Sequence, residues 1–238
     1  MLKFRKKDEV AIVIPAYNES TQIATVVKGV QKSLKRAKFA CTVIVVDDGS
    51  KDETAVAAKK AGAVVIRHIL NTGAGGATAT GLSYAEQNGF LMAATMDADG
   101  QHDPSDVVAG FKVLSEQNTD LLIGSRLIDS KGMSRVKVLG NRGLSFITYM
   151  LFGINSTDSQ SGLRIFSRQA LEQLRWKTSG YEFCSEMLWR AKQIGLTIDE
   201  YPIKAIYTDY SKAKGQNNWN AVNIIKSLLK RRVSELLG

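Results

Sequence analysis

Residues 90–104 read FLMAATMDADGQHDP. An apolar run of strand length gives way to Asp97 and Asp99, two residues apart, with Gln101, His102 and Asp103 close behind. Pro104 suits the first turn of a helix over 102–118, and Asp103 is placed to cap it. A strand ending in carboxylates before a helix is one unit of a pattern that repeats on both sides. Upstream, EVAIVIPAY (9–17) is a β-branched strand and TQIATVVKGVQKSLKRAK (21–38) has helical periodicity, with Asn18 or Ser20 as its cap. CTVIVVDDGS (41–50) is a second strand, and DETAVAAKKAG (52–62) a short helix ending at Gly62. AVVIRHI (63–69) is a third strand and GGATATGLSYAEQNG (75–89) a helix; after 102–118, DLLIGSR (120–126) makes a fifth strand.

Near-continuous apolar strands separated by helices predict an α/β fold with a mostly parallel sheet covered on both faces. Ligands of such sheets sit outside the carboxyl ends of the strands. The polar motifs fall there: PAYNE after strand one, DDGS after two, NTGAGG after three and DADGQH after four. A nucleotide-sized site on that edge is the expectation.

Composition narrows the class. A chain of 238 residues holds one large domain or two small ones, and 44% hydrophobic residues with three prolines describe an ordered globular protein. Cys41 and Cys184 fit no zinc or redox spacing and read as reduced, structural thiols. The net charge of +9 is uneven: residues 1–7, the stretch Arg126 to Arg142 and the final helix are basic. Such clusters point to phosphates on nucleic acid, membrane or substrate. No aromatic-rich stacking motif or basic recognition helix accompanies them, so nucleic acid is not the expected partner. No segment reaches the roughly 18 to 20 apolar residues that span a bilayer; LSFITYMLFGI (144–154) is too short, and the start MLKFRKKDEV lacks the apolar core of a signal peptide. The expected location is cytoplasmic, peripheral at the membrane face.

Two phosphate-loop readings fail. Gly76 and Gly81 have Walker-A spacing, but Leu82 stands where the lysine belongs; Thr78 replaces the third glycine of a dinucleotide loop after Gly73 and Gly75. A glycine loop that approaches a ligand, or a simple loop before a helix, both stay open. An EF-hand also fails, since Gly100 is fourth rather than sixth and the closing glutamate is missing. Strand alternation would aim Asp97 and Asp99 to one side. Hard oxygen ligands there suit Mg²⁺ or Mn²⁺ bridging a diphosphate, the alternative being a solvated strand end.

VIPAYNE (13–19), VVDDGSKDET (45–54), MDADGQHDP (96–104), IGSR (123–126) and TDSQSGLRIF (157–166) come in the order and approximate spacing of family 2 glycosyltransferases of the GT-A fold. The sequence most resembles the polyprenyl-phosphate glycosyltransferases, the dolichyl-phosphate mannose synthase type, over residues 9–215. It departs from some relatives in lacking transmembrane helices after that point. The resemblance implies one catalytic domain over 1–238: a nucleotide-sugar half (9–125), an acceptor half (126–218) and a carboxyl-terminal amphipathic helix (219–238). It implies that Pro15, Ala16, Tyr17, Glu19, Gly76 and Ala98 line the nucleotide site with Asp47 or Asp48. Asp97 would lie by the ribose and diphosphate, and Asp99 with Gln101, and with Asp97 beside them, would hold Mg²⁺ or Mn²⁺.

The implied reaction moves a sugar from a UDP- or GDP-linked donor, UDP being expected, to a polyprenyl phosphate. The metal would stabilise the departing diphosphate. The acceptor is already an anion and needs no general base, but it needs cations: Arg126, Arg135, Lys137, Arg142, Lys212 and Lys214 are the candidates. Asp158 is the alternative pivot, a base if the acceptor is a saccharide hydroxyl, a residue orienting the donor sugar if it is a phosphate, or a turn cap before Gly162. Glu186 has no assigned role. A non-catalytic nucleotide-binding module is the remaining alternative, against which the intact Asp97, Asp99 and Gln101 set argues. In the last helix, Val222, Ile225, Leu229, Val233 and Leu236 recur at helical spacing beside Lys226, Lys230 and Arg232. That stripe either lies on a membrane surface or packs on its own domain. Residues 144–154 are placed to receive the acceptor's lipid chain, and an integral-membrane protein is an expected partner for using the product.

Overall fold

A computed structural model describes residues 9–131, 133–206, 225–226 and 228–229. The elements in chain order are β1 (Glu9–Ala16), α1 (Ile23–Arg36), β2 (Ala40–Asp47), α2 (Thr54–Lys60), β3 (Val64–Arg67), α3 (Ala74–Gln87), β4 (Ala93–Thr95) and α4 (Pro104–Gln117). Then follow β5 (Leu121–Ser125), α5 (Arg135–Phe152), β6 (Arg164–Phe166), α6 (Arg168–Gln173), α7 (Phe183–Gln193) and β7 (Ile198–Pro202). One sheet contains all seven strands in the order β3-β2-β1-β4-β6-β5-β7. β1, β2, β3 and β4 pair in parallel, as do β5 and β7, while β6 runs antiparallel to both β4 and β5.

The strand runs are unbroken because each face is covered. Along β1, Ala11 and Val13 join the layer formed with α3, α6 and α7, and Val10, Ile12 and Ile14 join the layer with α1 and α4. Gly81 lets α3 come this close: a β-carbon there would strike Val13 and lie 3.1 Å from Val46 Cγ2. Its place in a Walker-like spacing is thus a matter of helix-to-sheet packing.

Several local expectations shift. β4 ends at Thr95, so Asp97 and Asp99 stand in the turn that follows it, where strand alternation does not fix their sides. Neither Asn18 nor Ser20 caps α1, whose first turn has no side-chain cap. Both tie loops together instead: Asn18 Oδ1 accepts from the Lys51 N–H, and the Ser20 N–H donates to Asp52. Asp103 does cap α4, accepting from the Ser105 N–H at 2.8 Å. The segment 144–154 is chiefly the second half of α5, which stops at Gly153 with φ 66°.

Of the carboxyl-terminal stripe, Ile225 packs against the core while Leu229 is exposed, as is Lys226 beside it; Leu228, outside the stripe, is buried in the core. Val222, Lys230, Arg232, Val233 and Leu236 lie outside the described residues, as do Lys212 and Lys214. Among the described residues no helix is long and apolar enough to cross a membrane.

Candidate active site

The loops after β1, β2, β3 and β4 gather on one edge of the sheet, as the motif positions anticipate. The first two are stitched together: the Asn18 N–H donates to Ser50 Oγ and the Glu19 N–H to Thr54 Oγ1. Pro15 and Ala16 end β1, Glu19 is buried, and Tyr17 is exposed at the rim.

The two aspartates after β2 have different surroundings. Asp47 is fully buried, accepts from the Ser50 N–H at 3.1 Å, and has Arg67 Nε 3.1 Å from Oδ2, an ion pair without hydrogen-bond alignment. Asp48 staples the glycine loop. Its Oδ1 meets His68 Nδ1 and accepts from the Thr72 N–H and hydroxyl, and its Oδ2 accepts from the Gly73 N–H, all at 2.8 Å. Burial alone would raise this carboxyl, but the bonds from Thr72, His68 and Gly73 hold it below its ordinary value. The Gly75 N–H donates to Ser179 O. Two backbone N–H groups at the start of α3, those of Gly73 and Gly75, are therefore engaged within the protein and not directed at a phosphate. Gly76 packs on its own loop, a β-carbon there meeting Thr72 Oγ1 at 2.6 Å. Of the two readings of the glycine loop, the simple pre-helix loop fits these contacts.

Asp97 and Asp99 form the centre of the edge. Asp97 is partly open, with 49% of its side chain reaching solvent. Its Oδ2 lies 3.0 Å from Nε2 of His102, which is buried and has no partner for Nδ1 among the described residues. Burial works to raise Asp97, but the His102 bond and the charges of His102, Arg126 and Arg164 hold it low. Asp99 goes the other way, raised by burial and by Asp97 beside it. Gln101 holds Asp99 with both its N–H, at 3.0 Å, and its side-chain Nε2, at 2.6 Å. Ala98, between them, is buried.

Two partly accessible carboxylates that repel each other fit a divalent cation, since Mg²⁺ and Mn²⁺ take one or two protein carboxylates and complete their shell with phosphate and water. Gln101 would join that shell only by turning its amide, so in the present arrangement it fixes Asp99. Among the described residues, no group of three or more His, Cys, Asp or Glu converges to hold a metal without such added ligands.

The 157–162 loop lies against Asp97. Thr95 Oγ1 donates to Gly162 O at 2.8 Å, and a β-carbon on Gly162 would lie 2.5 Å from Asp97 Oδ2. Arg164, 1% exposed, holds this loop from beneath, donating to Ser161 O, Ser159 O and Cys184 O. Asp158 is fully buried and gripped by Arg126: Nε at 2.7 Å, Nη2 at 2.8 Å and the backbone N–H at 3.1 Å. Arg135, Lys137 and Arg142 are exposed on α5, and Arg142 lines a groove of about 340 Å³ with Leu127, Phe146, Tyr149 and Thr157. Glu186 receives a place: it accepts from the N–H groups of Lys177 and Thr178, fixing the strap whose Ser179 carbonyl clasps α3.

Sequence reading alone missed His102 and Arg164. His102 follows the carboxylates too closely to stand out from a polar turn, and Arg164 sits inside an apolar triplet, Leu163 to Phe166, with only its charge as a signal.

The chain is 41% identical over 250 residues to the UDP-N-acetylglucosamine–dolichyl-phosphate N-acetylglucosaminyltransferase of Methanococcus voltae, covering 95% of this chain and 97% of the relative. It is 26% identical to the polyprenol monophosphomannose synthase of Mycolicibacterium smegmatis, over 95% of this chain and 86% of the relative. A crystal structure of Mycobacterium tuberculosis glucosyl-3-phosphoglycerate synthase with Mn²⁺, UDP-glucose and phosphoglyceric acid shares the fold, with TM-score 0.68, 22% identity, and 94% and 80% of the two chains covered. Residues 11–175 match the model of glycosyl transferase family 2, and the chain belongs to that family.

Proposed function

We propose that this hexosyltransferase moves a sugar from a nucleotide-sugar, UDP-N-acetylglucosamine being the first donor to test, to a polyprenyl phosphate. The relative from Methanococcus voltae, named for that donor and a dolichyl phosphate, supports the choice. The observation that carries the reading is the state of Asp158: both its oxygens are taken by Arg126. Glu200, the neighbouring carboxylate, is likewise occupied by Ser156 and Thr157. An acceptor hydroxyl would need a base within hydrogen-bond reach, whereas a phosphate monoester is nucleophilic as it stands.

On this reading residues 9–125 hold the donor and 126–218 the acceptor. Asp97 and Asp99, with Gln101, would hold Mg²⁺ or Mn²⁺, which would supply charge stabilisation for the departing diphosphate. His102 aims the Asp97 carboxylate. Asp158 holds the Arg126 guanidinium at the acceptor side, and Arg142 offers a second cation at the groove; Arg135 and Lys137 add positive potential on the same helix. Pro15, Ala16, Tyr17, Glu19, Asp47 and Ala98 border the nucleoside, while Asp48 and Gly76 act through the loop they shape. Location at the cytoplasmic face and use of the product by an integral-membrane protein complete the proposal.

The test is transfer of radiolabelled sugar from UDP-N-acetylglucosamine, UDP-glucose and GDP-mannose to short-chain polyprenyl phosphate, with Mn²⁺ or with EDTA. An organic-extractable, metal-dependent product from one donor supports the reading. Nucleotide binding without any lipid product would refute it.

A further inference from the structure

The helix α5 is eighteen residues long and buries one side only: Leu144, Ser145, Thr148 and Phe152 face the core. The opposite side is apolar as well. Val136 is 76% exposed, Leu139 75%, Phe146 62% and Met150 66%, and the spacing of these residues puts them on one face. Gly140 and Gly143 add nothing but open space beside them. Arg135, Arg142 and Tyr149, seven residues apart in turn, form one edge of this face, all exposed.

We propose that this outer face of α5 lies in the interface of an anionic lipid bilayer and seats the enzyme on it. An apolar strip edged by arginines and a tyrosine suits that environment: the strip enters the acyl boundary while the cations meet lipid phosphates. The excess charge of +9 has the matching sign. A second copy of the chain is a poorer occupant. Two-fold pairing would bring the same face onto itself and set the arginine edges against like charge. The face also runs into the groove lined by Arg142, Phe146, Tyr149 and Thr157, and Thr157 lies next to Asp158. Seating by α5 therefore brings the groove and the acceptor side of the site to the membrane surface. The described residues of the carboxyl-terminal stripe point two ways, Ile225 packing on the protein's own core and Leu229 lying exposed.

The inference rests on the proposed lipid-phosphate acceptor for its purpose, but its test does not. Full-length protein is sedimented with vesicles of phosphatidylcholine alone and of phosphatidylcholine mixed with phosphatidylglycerol. The proteins are wild type, the double variant Val136→Glu/Leu139→Glu, and Leu229→Glu. Wild type and Leu229→Glu should bind the mixed vesicles in a salt-sensitive way. The double variant should lose roughly tenfold or more of that binding, with melting temperature and nucleotide affinity kept, since both side chains are exposed. Equal binding by the double variant, or loss in Leu229→Glu alone, would overturn the proposal. So would a dimer in light scattering that the double variant dissolves. Transfer to a water-soluble short-chain acceptor is measured in parallel. Turnover with unaltered vesicle binding would sink the membrane face and leave the reaction standing; the reverse pattern would do the opposite.

Discussion

A methyl group at Gly162 tests how much of the activity depends on where Asp97 stands. Its β-carbon would lie 2.5 Å from Asp97 Oδ2 and 2.7 Å from Cγ. Ordinary contact begins near 3.4 Å, so a displacement of about 1 Å is needed. The loop cannot readily supply it, because Thr95 fixes the Gly162 carbonyl and Arg164 fixes the carbonyls of Ser159 and Ser161. The carboxylate must therefore move, and its 3.0 Å contact with His102 stretches or breaks. Misplacing a catalytic group by about 1 Å costs roughly 100-fold in rate. Gly162 is not in the left-handed region, so the backbone itself tolerates alanine. Gly162→Ala should thus lower kcat about 100-fold while KM for the donor changes less, with a modest fall in Tm. Steady-state transfer assays and a thermal melt read both quantities. A variant with kcat within about twofold of wild type and the same Tm would refute the reasoning, since the predicted displacement carries a cost of that order.

Other consequences follow from individual contacts. Asp158→Asn should destabilise the fold by about 3–5 kcal/mol, because it removes the buried counter-charge of the Arg126 guanidinium; urea titration measures this, and unchanged stability would refute it. Gly81→Ala should cost about 1–3 kcal/mol through crowding of Val13 and Val46, while kcat is retained in the surviving folded enzyme. Asp52, held down to about 2 by bonds from Thr54 and Ser20 that outweigh its desolvation, and Asp48, also held low, stabilise the protein above the unfolded carboxylate range. That contribution is lost as pH falls from about 4 toward 2, and Asp48→Asn should flatten the decline seen by acid titration. Burial pushes the Cys184 thiol up to about 11, and burial with the nearby Glu9 does the same for Cys41. Iodoacetamide at neutral pH should leave both unmodified in native protein and alkylate both in urea, as read by mass spectrometry.

Much of the first half of the fold was legible because strand burial on both faces writes itself as continuous apolar runs, and the loops after them carry the polar residues. The run 10–14 is unbroken since alternate residues enter different layers. The position of β6 was not legible: nothing local to LRIF says that it forms a strand inserted antiparallel between β4 and β5. The carboxylates at 97 and 99 were visible as a pair, whereas their unequal surroundings were not. Those come from His102, five residues away, and from Arg164 and Arg126 on another stretch of chain. Asp48 was legible as a carboxylate after a strand, but a short stretch of sequence cannot show that residues 68–73 fold back onto its oxygens. The exposed face of α5 was partly visible as apolar residues. Which side turns outward depends on the core beneath it, and no single stretch contains that information.

The acceptor class is the central claim, and it is tested most directly by offering the enzyme polyprenyl phosphate, the corresponding polyprenol and a saccharide acceptor side by side, with one labelled donor and Mn²⁺. With Asp158 held by Arg126, label should enter only the polyprenyl phosphate, as a lipid-linked sugar phosphodiester seen by mass spectrometry. Comparable transfer to the polyprenol or saccharide hydroxyl would contradict the account, because it would require a base that this arrangement does not provide.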